Sequence, residues 1–408
     1  MSLENPIFIP GPTNLPDSVR RVIDRPTIDH RSQEFAASLP GLFANLRRVL
    51  KTKDAEIFMF PATGTGGWEA VIANTLSRGD RVLACRHGVF SDKWIRLCQA
   101  FGLRVDVIEC DWGGPADAEL IEAALRADSK KDIKAVLATH NETATGVRSD
   151  LAAIRNSIDC TGHNALFLVD GVSSIGSMNF EMDKWGVDAA VTGSQKGFML
   201  PAGLAIVGLT SKARQCGLGA DLPRFFFDFE QMSQATMSGG FPYTPPMQLI
   251  AGLQHTTDLL LNEGLDRVFA RHFRIAEGVR RAVSAWGLQL CAKSSEYASD
   301  TVSTIHVPDG FDSNLLTEHA YSRYDMSFGV GLGQLAGKVF RIGHLGALTE
   351  AQILSGLCVI EMAMLDLDYP IKAGTGVAAA QEWYRSPVNL SANHEMTDAN
   401  QLSEVAGQ

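Results

Sequence analysis

From about residue 56 the chain alternates short apolar runs with amphipathic stretches. "IFMF" precedes a helical "WEAVIANTL"; "RVLAC" precedes "DKWIRLCQAF"; "RVDVIEC" precedes "ELIEAALRA". "KAVLATH", "DLAAIRNSI", "ALFLVD", "DAAVTG" and "GLAIVGL" continue the pattern. Strands alternating with helices predict an α/β fold with a mostly parallel sheet covered on both faces. Such sheets bind ligands at the carboxyl ends of their strands.

A Pro- and Gly-rich stretch, "SGGFPYTPPMQ", follows, and then helical periodicity runs from Leu249 to about Trp286 with a break near "NEGLD". "VSTIHVP", "KVFRIGH" and the helical "TEAQILSGLCVIEMAM" predict a smaller α+β unit. The expected division is an amino-terminal segment at 1–20, a large domain at 21–265, a small carboxyl-terminal domain at 266–384 and a polar tail at 385–408.

Composition narrows the function classes. A formal charge of -10 argues against broad contact with nucleic acid or an anionic membrane. The start, "MSLENPIFIPGPTN", has no basic region followed by an apolar run, and no stretch is long enough to span a bilayer, so a cytoplasmic protein is expected. The seven cysteines are scattered without a CxxC, which predicts neither a disulfide framework nor a zinc knuckle. No metal site is expected.

Four signals fall at strand ends. "PATGTGGWE" leads into a helix, where small residues let backbone N–H groups approach a phosphate and Thr63 and Thr65 add hydroxyls; alone it reads equally as a tight turn. Asp170 ends the strand of "FLVDGVSSIG", either capping a turn or facing a protonated ring nitrogen. "ATHNETATG" brings His140, Asn141 and Thr143, polar groups able to hold a phenolic oxygen. Lys196 follows the next strand in "VTGSQKGFML". A strand-end lysine is ordinarily a solvated charge or an ion-pair partner. Beside a carboxylate and a phosphate turn it is read instead as an amine able to form a Schiff base. Pyridoxal phosphate needs that combination of imine-forming lysine, acid and phosphate cup.

"PGPTN", "HNETATG", "VDGVSSIGS", "GSQKGFMLPAGLA", "PYTPP" and "KVFRIGHLG", in this order, closely resemble the class V aminotransferases of pyridoxal-phosphate fold type I, especially the serine–glyoxylate and aspartate–glyoxylate branch. The similarity runs from residue 5 to about 380. By motif, the resemblance implies Lys196 as the imine-forming lysine, with Gln195 its cofactor-contacting neighbour. It implies Asp170 as the ring-nitrogen partner, Val172 against the ring, and Thr63, Gly64 and Thr65 as the phosphate cup. Thr143 matches the hydroxyl near the ring oxygen, and Phe90 stands where related enzymes stack Trp or His. Tyr243 and Thr244 resemble the segment that reaches the cofactor of a neighbouring subunit, implying a homodimer with shared sites and leaving further pairing into a tetramer open.

Arg341 and Gly11 match positions that bind the substrate α-carboxylate, and His30 and Arg31 lie in a stretch that passes near the active site in this family. Arg31 is a candidate for a donor's side-chain carboxylate, or an interface ion pair. The implied reaction is transamination of glyoxylate to glycine with a small L-amino acid, serine first and aspartate as the alternative. A pyridoxal-phosphate lyase is a further reading. A cysteine desulfurase is disfavoured because "SFGVGLGQLAGKVF", ahead of Arg341, has no thiol. A dinucleotide-binding protein without catalysis could share the sheet but would not need Lys196 beside Asp170.

Overall fold

The computed structural model describes residues 5–387, so most of the polar tail expected at 385–408 lies outside the described residues. In chain order the elements are α1 (Asp17–Ile23), α2 (Gln33–Leu50), β1 (Glu56–Phe60), α3 (Gly64–Thr75), β2 (Arg81–Arg86), α4 (Val89–Ala100) and β3 (Arg104–Glu109). Then come α5 (Ala118–Ala127), β4 (Ile133–Thr139), β5 (Asn141–Glu142), β6 (Val147–Arg148), α6 (Leu151–Cys160), β7 (Leu166–Asp170), β8 (Ala189–Gly193) and β9 (Ala205–Leu209). The rest are α7 (Ser211–Gly217), α8 (Phe229–Met237), α9 (Met247–Glu263), α10 (Leu265–Ala285), β10 (Val302–His306), α11 (Ser313–Tyr324), β11 (Gly329–Val330), β12 (Val339–Gly343), α12 (Glu350–Asp366) and α13 (Thr375–Arg385).

Seven strands form the central sheet in the order β1-β9-β8-β7-β4-β2-β3. Only β9 runs against its neighbours; β8, β7, β4, β2 and β3 pair in parallel. The mostly parallel sheet expected from the pattern is therefore present. Its strands are apolar on both sides, as in β7 and β8, where every residue is buried. One face packs α2, α5, α6 and α9 through Leu46, Ile121, Ile154 and Leu253, and the other packs α3 and α4 through Val71 and Ile95.

A second sheet of order β10-β12-β11 is antiparallel and packs against α10, α11 and α12. The helical run from Leu249 breaks at Gly264, whose φ of +89° separates α9 from α10. Helix α10 then serves both cores, with Val268 in the large one and Ile275 to Val283 in the small one. The amino-terminal segment joins the second sheet. Phe8 is fully buried, its N–H bonds Ser327 O at 2.8 Å, and its carbonyl accepts from Gly343 N at 2.7 Å. That anchoring carries residues 10–13 across to the carboxyl end of the central sheet. No helix among the described residues is long and apolar enough to cross a membrane.

Candidate active site

Register brings the strand-end residues together. Thr139 of β4 pairs with Asp170 of β7, and Asp170 pairs with Val191 of β8, so three neighbouring strands deliver Asn141, Asp170 and Lys196 to one edge. The Lys196 turn is pinned by Ser194, whose Oγ donates to Pro201 O at 2.7 Å and accepts from Leu204 N at 3.1 Å. Above it lies the amino-terminal segment. Thr13 N donates to Gln195 O at 3.1 Å, and the Lys196 ammonium donates to the carbonyl of Pro10. Gly11 has a φ of +109°, and a Cβ there would stand 2.6 Å from Lys196 Nζ. Both its conformation and its closeness demand glycine. Burial first, and the charge of Arg341 second, lower the Lys196 pKa to about 8, with Asp170 opposing the shift.

Asp170 is buried, and its Oδ1 accepts from Val172 N at 2.9 Å. Burial raises its pKa to about 7, and the nearby charge of Glu142 adds to the rise while Lys196 opposes it. A carboxyl held near neutrality is poised for a cationic partner that would ionise it. Val172 stands against the start of α3: a Cβ on Gly64 would lie 2.4 Å from Val172 Cγ2. The N-cap residue of α3, Thr63, makes no side-chain cap bond, and Thr63 and Thr65 are exposed. The first backbone N–H groups of that helix are thus available to an anion.

Buried polar atoms at the same edge are left without partners among the described residues: Thr139 Oγ1, Asn141 Oδ1, Thr192 Oγ1 and Gln195 Oε1. Native interiors rarely leave such atoms unmatched, so a cluster of them points to a polar ligand. Asn141 is otherwise fixed by Nδ2 bonds to Ser173 Oγ at 2.8 Å and Thr301 Oγ1 at 2.9 Å. Arg341 is buried on β12, with Nε donating to Val330 O at 2.8 Å and Nη1 to Thr143 O at 3.0 Å. Burial lowers its pKa to about 10 against the opposing charge of Glu142, and among the described residues no carboxylate forms a salt bridge with it. A desolvated guanidinium with no carboxylate in direct contact is a site for an incoming anion.

Not every expected residue converges. His140 is turned into the protein, with Nδ1 2.8 Å from Ser174 Oγ and its ring edge-on to Trp185; burial lowers its pKa to about 3. The expectation that it could hold a ring oxygen is corrected by that packing. Thr143 offers its carbonyl to Arg341. Phe90 opens α4 half-buried, packed with Val172 on the same apolar cluster. Tyr243 stacks on Phe226 at 4.2 Å between ring centres and donates to Phe226 O, while Thr244 is exposed. Arg31 is also exposed, its N–H held by Asp29 Oδ1 at 2.9 Å, and His30 stands 3.9 Å from the same carboxylate. None of these contacts ties Tyr243, Thr244, His30 or Arg31 to Lys196. Sequence reasoning missed Glu142 and the Pro10 carbonyl. Glu142 sits inside a quoted motif, but its partners lie on α4, and nothing local in the sequence links the two.

The family described as Aminotransferase class-V matches residues 19–318. The chain is 59% identical over 385 residues to the L-aspartate–glyoxylate aminotransferase of Paracoccus denitrificans, covering 94% of this chain and 97% of that protein. It is 50% identical over 394 residues to the serine–glyoxylate aminotransferase of Hyphomicrobium methylovorum, covering 96% and 97%. The crystal structure of ureidoglycine–glyoxylate aminotransferase from Bacillus subtilis superposes with a TM-score of 0.88 at 26% identity, covering 95% of this chain and 99% of that one.

Proposed function

Because the chain belongs to the class-V aminotransferase family, we propose that its site moves an amino group from aspartate to glyoxylate, with pyridoxal phosphate as cofactor. The carrying observation is that Lys196 and Asp170 share one edge of the central sheet and that Arg341, arriving from the second sheet, bonds Thr143 O beside them. The aspartate donor is supported by the relative of that name at 59% identity. Serine is the second reading, supported by the relative of that name at 50% identity and by the exposure of Arg31.

The residues present fit the cofactor. Unpaired buried oxygens, a carboxyl near neutrality and an uncapped helix start are what a phosphorylated cationic ring would satisfy. Bound there, pyridoxal phosphate supplies an aldehyde that condenses with amines and a ring that accepts the electron pair left when a Cα–H bond breaks. The N–H groups at the start of α3, with Thr63 and Thr65, would hold its phosphate. Asp170 would accept from the ring nitrogen and keep it protonated. Val172 and Phe90 would bracket the ring, and Asn141 and Gln195 would face its polar edge.

Lys196 does two things in this reading. It would anchor the cofactor at rest, and as a free amine its Nζ would take the proton from the substrate Cα and deliver it to the cofactor carbon that receives the amino group. A pKa of about 8 leaves a useful fraction of that amine neutral near pH 7. Arg341 grips the α-carboxylate in a two-pronged contact that also sets which Cα bond faces Lys196. Tyr243 and Thr244, which none of the contacts above ties to Lys196, belong in this reading to the site of a second copy.

The test is a half-reaction titration. The loaded protein is mixed separately with aspartate, serine and alanine, and the visible cofactor band and the keto acid released are followed, with glycine measured after glyoxylate is added. Aspartate is expected to discharge the band fastest. Fast discharge by serine alone assigns the second reading, and keto acid formed continuously without glyoxylate overturns amino transfer in favour of a lyase.

A further inference from the structure

Glu142 has no task in that reaction, yet its carboxylate is fully buried. Removing a carboxylate from water is costly unless hydrogen bonds replace the water. Oε2 accepts from Phe90 N at 3.0 Å and Ser91 N at 2.9 Å, and Oε1 accepts from Ala144 N at 3.1 Å. Phe90 and Ser91 open α4, whose N-cap residue, Gly88, has no side chain to offer. Glu142, 52 residues along the chain from Phe90, supplies the missing cap. Gly88 leaves room for it: a Cβ there would stand 2.2 Å from Glu142 Cγ.

The same turn makes a second connection. The carbonyl of the next residue, Thr143, accepts from Arg341 Nη1 at 3.0 Å, and Ala144 N closes the turn back on the Glu142 carboxylate. One buried carboxylate therefore joins Phe90 to Arg341. An anion at a helix start is also favoured by the helix dipole.

Given a ring bound against Phe90, as the amino-transfer reading requires, we propose that Glu142 is a positioning residue. It caps α4 from a separate strand, fixing Phe90 against the ring and, through Thr143, the guanidinium of Arg341. Glu142→Gln keeps the size but places an amide N–H₂ among donors that need an acceptor. Hydrogen exchange at the Phe90 and Ser91 amides is expected to accelerate in this variant while later turns of α4 stay protected. The Kd of the full chain for pyridoxal phosphate, read from tryptophan fluorescence, is expected to rise about 10- to 100-fold, the scale known for groups that orient the direct ligands of metal sites. In the loaded enzyme KM for the donor rises along with the fall in kcat, because Arg341 is displaced too.

Two further variants keep the test decisive if Glu142→Gln folds poorly. Gly88→Ala displaces the carboxylate without removing its charge and should reproduce the loss. Phe90→Ala should absorb most of it, so that adding Glu142→Gln changes Kd by no more than about twofold. An unchanged Kd in both Glu142→Gln and Gly88→Ala, or full additivity with Phe90→Ala, overturns the proposal. A wild-type chain that binds no pyridoxal phosphate overturns the amino-transfer reading instead, and the amide exchange then still decides whether Glu142 caps α4.

Discussion

Burial shifts the ionisation of Asp170 and Lys196 in opposite directions, and pH reveals both. Asp170 ionises near 7 in the folded chain and near 3.8 when unfolded, so the folded state binds the extra proton between those values. Its stabilising contribution is fully present below about 4 and lost as pH rises through about 7. In cofactor-free protein, Asp170→Asn should therefore raise Tm above pH 7 relative to wild type, and the gain should vanish toward pH 4. Activity should fall by about 10²- to 10³-fold, the scale for removing one preorganised electrostatic partner. Equal Tm differences at every pH would refute the account. For Lys196 the sign is opposite. Its pKa is lowered, so the neutral amine is lost as pH falls through about 8. Uptake of pyridoxal phosphate by cofactor-free protein should slow about tenfold per pH unit below that point. Arg341→Met removes the second cause of the shift and should move the midpoint to higher pH, visible in stopped-flow absorbance.

At the scale of elements, the glycines of α3 separate packing from binding. A Cβ on Gly64 meets Val172 at 2.4 Å, while one on Gly67 meets Val191 of β8 at 2.5 Å. Each alanine variant should destabilise the chain by about 1–3 kcal/mol through overpacking. Only Gly64→Ala should also weaken pyridoxal phosphate binding, because Val172 is the neighbour it displaces; calorimetric titration beside thermal unfolding distinguishes them. These elements were legible in the sequence because a buried parallel strand writes itself as an apolar run and its helix as a 3.6 period. "ALFLVD" and "DAAVTG" became β7 and β8, ending where Asp170 and Gly193 stop the apolar run. The two-residue strands β5 and β6 were not legible, since so short a pairing leaves no period. Glu142 lies in that pair. His140, read as a ligand from its motif, is drawn inward by Trp185 and Phe180, a packing choice made by residues far along the chain.

At the scale of the whole molecule, the site is assembled from both ends of the sequence: Pro10 and Gly11 cover Lys196, and Arg341 arrives from the second sheet. Order along the chain made these residues visible as motifs, but only the anchoring of Phe8 in that sheet brings them together. In the proposed reading Tyr243 and Thr244 serve the site of a second copy of the chain. Tyr243 stacks on Phe226, which is 40% exposed, beside Phe225 at 80%, and Thr244 is exposed next to Tyr243 in the chain. The proposed dimer has these two residues reach the phosphate of the partner's site, as the resemblance implies. That arrangement predicts complementation. Lys196→Ala subunits should be inactive, and subunits carrying both Tyr243→Ala and Thr244→Ala should be strongly impaired. Refolded together, mixed dimers place both defects in one site and leave the other intact. Random pairing makes about half the dimers mixed, so about a quarter of wild-type activity should return. If each chain completed its own site, every mixed dimer would hold one site lacking Lys196 and one lacking the hydroxyls, and mixing would restore nothing beyond the average of the parents.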